Sequence, residues 1–114
     1  MRHCLALDLR DDPDMIAAYV RWHAPGGPPA AVTRSIRAAG IVEMQIWLTG
    51  SRLFMIMETG PDFSFEAKAE ADAADPDVQA WEAMMGALQK TLPWAVPGEK
   101  WTPATCIYDL AEHG

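Results

Sequence analysis

Leu5, Leu7 and Leu9 alternate with the smaller or polar Ala6 and Asp8, the two-residue period of a strand with one buried face. Asp11-Asp12-Pro13 follows, an acceptor side chain ahead of a proline, which is how a helix commonly begins. From there Met15, Ile16, Tyr19, Val20 and His23 recur at helical spacing, so the first helix is expected to run to about His23. The stretch Ala24-Pro25-Gly26-Gly27-Pro28-Pro29 removes amide donors and adds backbone freedom, and the helix must stop there. A second helical stretch over residues 31–39 closes at Gly40, and residues 41–48 are rich in β-formers. Thr49-Gly50-Ser51-Arg52 reads as a tight hairpin leading into an apolar strand over residues 53–58.

Alanine and glutamate dominate residues 62–73 and predict a short helix, after which Asp75-Pro76 repeats the cap-and-proline signal. Val78, Trp81, Met85, Leu88 and Leu92 then fall three and four apart, one apolar stripe on a helix that Pro93 stops. Beyond a Pro-, Trp- and Gly-rich loop over residues 93–103, residues 104–110 are expected to form the last strand. The principal elements run strand, helix, strand, strand, helix, strand. That is the order of a ferredoxin-like α+β fold, a four-stranded antiparallel sheet with its helices on one face. On the second strand, Val42, Met44, Ile46 and Leu48 are assigned to the helices and Ile41, Glu43, Gln45 and Trp47 to the bare face. That face needs cover, and a homodimer in which two sheets meet, a dimeric α/β-barrel, supplies it.

With 114 residues there is room for one domain, residues 1–114, and a half-hydrophobic composition with five tryptophans gives it a core and spare aromatic surface. The formal net charge is -7 and the nine Lys and Arg are scattered, which argues against a nucleic-acid partner and an anionic membrane surface. No apolar stretch approaches a spanning segment, and no apolar leader precedes the first strand, so a cytoplasmic location is expected. Cys4 and Cys106 fall in expected strands and read as small buried packing residues. His3, His23 and His113 belong to separate elements without metal-ligand spacing, so no metal site is expected.

Tyr19 and His23 stand four apart and share a helix face. An imidazole exchanges protons near neutral pH and a phenol beside it donates or accepts a hydrogen bond, a pair suited to acid–base work on a neutral polyol. Spacing alone also fits a packed tyrosine and a histidine finishing the last turn. Trp81 likewise reads as a core aromatic or as a platform for a sugar ring.

Several segments in order narrow these readings. Tyr19-Val20-Arg21-Trp22-His23-Ala24 precedes a proline-containing break; Asp62-Phe63 and an alanine-rich helix lead to Ala74-Asp75-Pro76-Asp77-Val78-Gln79-Ala80-Trp81; Cys106-Ile107-Tyr108-Asp109-Leu110 closes the chain. Over nearly its whole length the chain resembles the L-rhamnose mutarotase family, including its fucose-associated relatives. The resemblance implies a dimeric ferredoxin-like isomerase of carbohydrate metabolism that interconverts the α and β anomers of a 6-deoxy-L-sugar such as L-rhamnose or L-fucose. It implies His23 as the acid–base residue, Tyr19 and Trp81 as sugar-binding residues, and no cofactor. Glu82 stands where the family has a second tryptophan, Met44 where it has a strand-two tyrosine, and Gly27-Pro28-Pro29 replaces its Trp-Pro-Glu. These departures leave the sugar open. Asp8, Glu58, Glu82 and Asp109 are candidate assisting carboxylates. A cofactor-free oxygenase-like enzyme on the same fold, or a non-catalytic sugar-binding or regulatory module, would fit the same architecture.

Overall fold

The computed structural model describes residues 1–114. Three long antiparallel strands form the sheet: β1 (Arg2–Leu9), β2 (Ile41–Thr49) and β3 (Arg52–Thr59). Two short ones, β4 (Gln89–Lys90) and β5 (Thr102–Ala104), complete it. Strand order is β2-β3-β1-β4, the ferredoxin-like order expected. The fourth position is split, because β4 pairs with β1 at Asp8 and Leu9 while β5 pairs with the same strand at Cys4 to Ala6. The sheet therefore has five strands where four were expected.

Four helices connect these strands: α1 (Pro13–Trp22), α2 (Ala30–Ala38), α3 (Phe65–Ala74) and α4 (Pro76–Gly86). The starts of α1, α3 and α4 are fixed by side chains that occupy otherwise orphaned amides, whereas α2 begins after Pro29 with no side-chain cap. Asp12 Oδ1 accepts from the amides of Asp14 and Met15, and Asp75 Oδ1 from that of Asp77. Ser64 Oγ does the same for α3, accepting from the Ala67 amide. Between β2 and β3 the two-residue turn puts Gly50 at a φ of 57°, a left-handed conformation that favours a residue without Cβ.

Apolar side chains on one face of the sheet meet the helices in two clusters. Leu9, Tyr19, Leu53 and Met85 form one; Leu5, Ile41 and Met57 form the other. Leu7, Leu9 and Leu53 are fully buried, each worth about 1.5–3 kcal/mol over an exposed position. On the opposite face Arg52 clasps Asp8 with two hydrogen bonds of 2.8 and 3.2 Å and lies over the Trp94 ring.

Four expectations are corrected. A β-bulge between Ile41 and Glu43 reverses the assignment of the first two β2 residues, so Ile41 joins the core and Val42 is exposed, while Met44 and Ile46 pack against the core as expected and Leu48, assigned to the same face, is exposed. The helix carrying Trp81 ends at Gly86, because the chain must turn to lay Gln89 and Lys90 along β1; Leu88 and Leu92 follow the helix instead of continuing its stripe. The last strand is only Thr102–Ala104. Continuing its register leaves nothing of β1 opposite Tyr108, and Ile107 is 95% exposed before a 3-10 turn, Leu110–Glu112, capped by Asp109. Cys106, read as a buried strand residue, is accordingly exposed, while Cys4 is half-buried; neither forms a disulfide.

Candidate active site

At the end of α1 the His23 amide turns to the Val20 carbonyl, leaving the Tyr19 carbonyl without its usual helical donor. The His23 ring supplies one: Nδ1 lies 2.7 Å from that carbonyl. A carbonyl only accepts, so Nδ1 carries a proton and, in the neutral ring, the lone pair is on Nε2. The same turn stacks the imidazole on the Tyr19 ring, with centroids 4.1 Å apart and planes 26° from parallel. Trp81, reaching over from α4, meets the imidazole edge-on at 5.5 Å, and Trp22 meets Trp81 edge-on at 6.2 Å.

Tyr19 is 3% exposed, and its hydroxyl oxygen accepts from Gln89 Nε2 at 3.4 Å. Burial pushes its ionisation above the ordinary phenol range, only partly offset by the Gln89 bond. The phenol is therefore a neutral hydroxyl at physiological pH.

These groups border a cavity of about 580 Å³ between the sheet and the helices, within the range of small-ligand sites. All five sequence-predicted residues line it: Tyr19, His23, Met44, Trp81 and Glu82. The four candidate carboxylates separate cleanly. Asp8 is held by Arg52, Glu58 pairs with the N-terminal amine and Arg2, and Asp109 caps the final turn, whereas Glu82 faces the cavity. No three His, Cys, Asp or Glu side chains converge to hold a metal ion.

Sequence reasoning missed several cavity residues. Lys100 and Trp101 lie in a stretch read as a connecting loop, and Trp101 packs against both core clusters. Lys68 and Asp72, a partly buried ion pair on α3, also border the cavity. Their i,i+4 spacing was legible, but nothing local placed that helix beside the site. Gln89 was hidden because it falls where the apolar stripe made the chain look helical, one residue past Leu88.

Fold and cavity together define a ferredoxin-like α+β protein with a histidine, a phenol and an indole around one open cavity. The family model for L-rhamnose mutarotase matches residues 2–110. The L-fucose mutarotase of Xanthomonas campestris pv. campestris is 49% identical over 111 residues, spanning 97% of this chain and 89% of its own. A UPF0734 protein of Dictyostelium discoideum is 31% identical over 112 residues, spanning 92% and 86%. Among solved structures, the L-rhamnose mutarotase of Formosa agariphila superposes with a TM-score of 0.69 at 16% identity, covering 96% of this chain and 97% of that one. Tetracenomycin F2 cyclase of Streptomyces glaucescens, a type II polyketide cyclase, superposes at 0.64 with 14% identity, covering 96% and 95%. At such identities these two structures speak for the fold alone. The chain belongs to the L-rhamnose mutarotase family and is an isomerase acting on carbohydrate. None of its helices is long and apolar enough to cross a membrane.

Proposed function

We propose that this chain is a mutarotase for a 6-deoxy-L-sugar, with L-fucose favoured over L-rhamnose by its 49% identity to an L-fucose mutarotase. The observation that carries the mechanism is the Nδ1 bond from His23 to the Tyr19 carbonyl, which leaves Nε2 as the basic nitrogen in a cavity shared with Trp81. Nε2 takes the proton of the anomeric hydroxyl, the bond from the anomeric carbon to the ring oxygen breaks, and the imidazolium returns the proton to that ring oxygen. The open-chain aldehyde rotates and the steps reverse on closure. Both oxygens are bonded to one carbon, so one imidazole reaches both. The neutral Tyr19 phenol orients the reacting oxygens, Trp81 stacks on the C–H face of the ring, and Glu82 accepts from a hydroxyl. Met44, without a hydroxyl, leaves an apolar wall that suits the 6-methyl group.

The reading treats residues 1–114 as one mutarotase unit working in the cytoplasm as a homodimer. Support for the dimer is the exposed Trp47 on the uncovered sheet face and the unpaired apolar tail at Ile107, Tyr108 and Leu110. The test of function is anomer exchange by saturation-transfer NMR on L-fucose and L-rhamnose. Exchange no faster than in buffer refutes it; a sugar-induced rise in melting temperature without exchange would instead mark a binding module.

A further inference from the structure

Gln89 is the one polar residue on the cavity wall that is both buried and incompletely bonded. It is 8% exposed, and while Nε2 donates to the Tyr19 hydroxyl, Oε1 has no hydrogen-bond partner. Leaving a buried carbonyl oxygen unpaired is costly, and although Oε1 has almost no exposed surface as placed, a small turn of the carboxamide would bring it to a donor in the adjoining cavity. Its placement follows from the fold. β4 pairs Gln89 with Leu9, whose side chain belongs to the helix-facing core, and this sends the carboxamide in beneath α1 toward the Tyr19 hydroxyl.

We propose that Gln89 is a specificity-determining residue, its Oε1 accepting a hydrogen bond from one secondary, non-anomeric hydroxyl of the bound sugar. This rests on the mutarotase reading of the Tyr19–His23 cavity. Nε2 anchors the carboxamide on the phenol that orients the reacting oxygens, so recognition of that hydroxyl is coupled to the position of the anomeric centre. A sugar lacking the hydroxyl leaves Oε1 unpaired in the complex, and a site built around such a bond discriminates strongly against the analogue.

The experiment compares wild type, Gln89→Met and Gln89→Glu by anomer exchange on L-fucose and its 2-, 3- and 4-deoxy analogues, with His23→Asn as a control. Gln89→Met keeps length and removes both polar ends; Gln89→Glu keeps an acceptor and covers the case in which the methionine variant does not fold. For L-fucose, Gln89→Met is expected to lower kcat/KM about 10- to 100-fold, mostly through KM, with Gln89→Glu intermediate. With one deoxy analogue, the gap between wild type and Gln89→Met should shrink to the part owed to the lost Tyr19 bond, because the partner hydroxyl is already missing. An equal loss on all four sugars would make Gln89 only a support for Tyr19 and overturn the proposal. So would no loss on any sugar, and in that case a His23→Asn variant that has lost exchange leaves the mutarotase reading standing. Wild type inert on every sugar overturns both.

Discussion

Replacing His23 by Asn isolates proton transfer from architecture. Asn keeps an amide donor near the place of Nδ1, able to serve the Tyr19 carbonyl that the imidazole now serves at 2.7 Å, but it has no titrating nitrogen where Nε2 stands. General acid–base assistance contributes about 100- to 10,000-fold, so kcat for anomer exchange should fall by that factor, about 3–5 kcal/mol of barrier. Stability should move little. The ring is only half-buried and caps a helix end, so its replacement should cost no more than about 1 kcal/mol, or about 4 °C in melting temperature. The assay is saturation-transfer NMR beside thermal denaturation by circular dichroism. Added imidazole should restore part of the lost rate by occupying the vacated space. A variant that retains exchange within about threefold of wild type, while folding normally, would refute the assignment of the proton-transferring group.

Three further outcomes follow from particular contacts. The raised ionisation of the buried Tyr19 phenol makes its stabilising contribution complete below the unfolded phenol value of about 10 and progressively lost as pH rises above it. Melting temperature should fall over that alkaline range, less steeply in Tyr19→Phe, and the part of the ultraviolet titration that Tyr19→Phe removes should lie above the ordinary phenol value of about 10; a difference centred on that value would contradict the burial. Leu7→Ala, at a position with no exposed surface, should cost about 3–4 kcal/mol and show as a melting temperature about 10–15 °C lower. Asp75→Ala, which frees the Asp77 amide at the start of α4, should cost about 1 kcal/mol and also weaken sugar binding measurably by calorimetry, since α4 carries Trp81.

Much of this architecture could be read along the chain because local chemistry and tertiary demand agree. Asp12-Pro13 and Asp75-Pro76 announce helices that form where they say, and the leucine alternation of β1 matches the face it buries. Disagreement arises where a distant strand overrides a local pattern. Leu88 and Leu92 continue a helical period, yet pairing with Leu9 and Asp8 pulls Gln89 and Lys90 into the sheet, and with them a cavity residue invisible to periodicity. The bulge at Val42 is equally silent in sequence, since Ile41 and Val42 are interchangeable as β-formers. Residues 105–110 have strand-like composition, yet pairing stops at Ala104 and the register of β5 runs off the end of β1 before Tyr108, which composition does not reveal. The cavity's five anticipated residues were gathered by resemblance; the helical spacing of Tyr19 and His23 alone left their roles open.

The loop after His23 holds itself in shape by close passage of backbone over backbone. A Cβ built on Gly27 would stand 2.3 Å from the Trp22 carbonyl oxygen and 3.0 Å from that of Ala24, so every other residue type is barred unless the loop is rebuilt. The neighbouring Pro28, which borders the cavity, is thereby fixed in place. A bulky residue at this position requires a different path for the loop that carries Pro28. Met44 and Glu82 border the same cavity from β2 and α4, so a change of size or charge there alters the pocket without touching the helix end that steadies the imidazole.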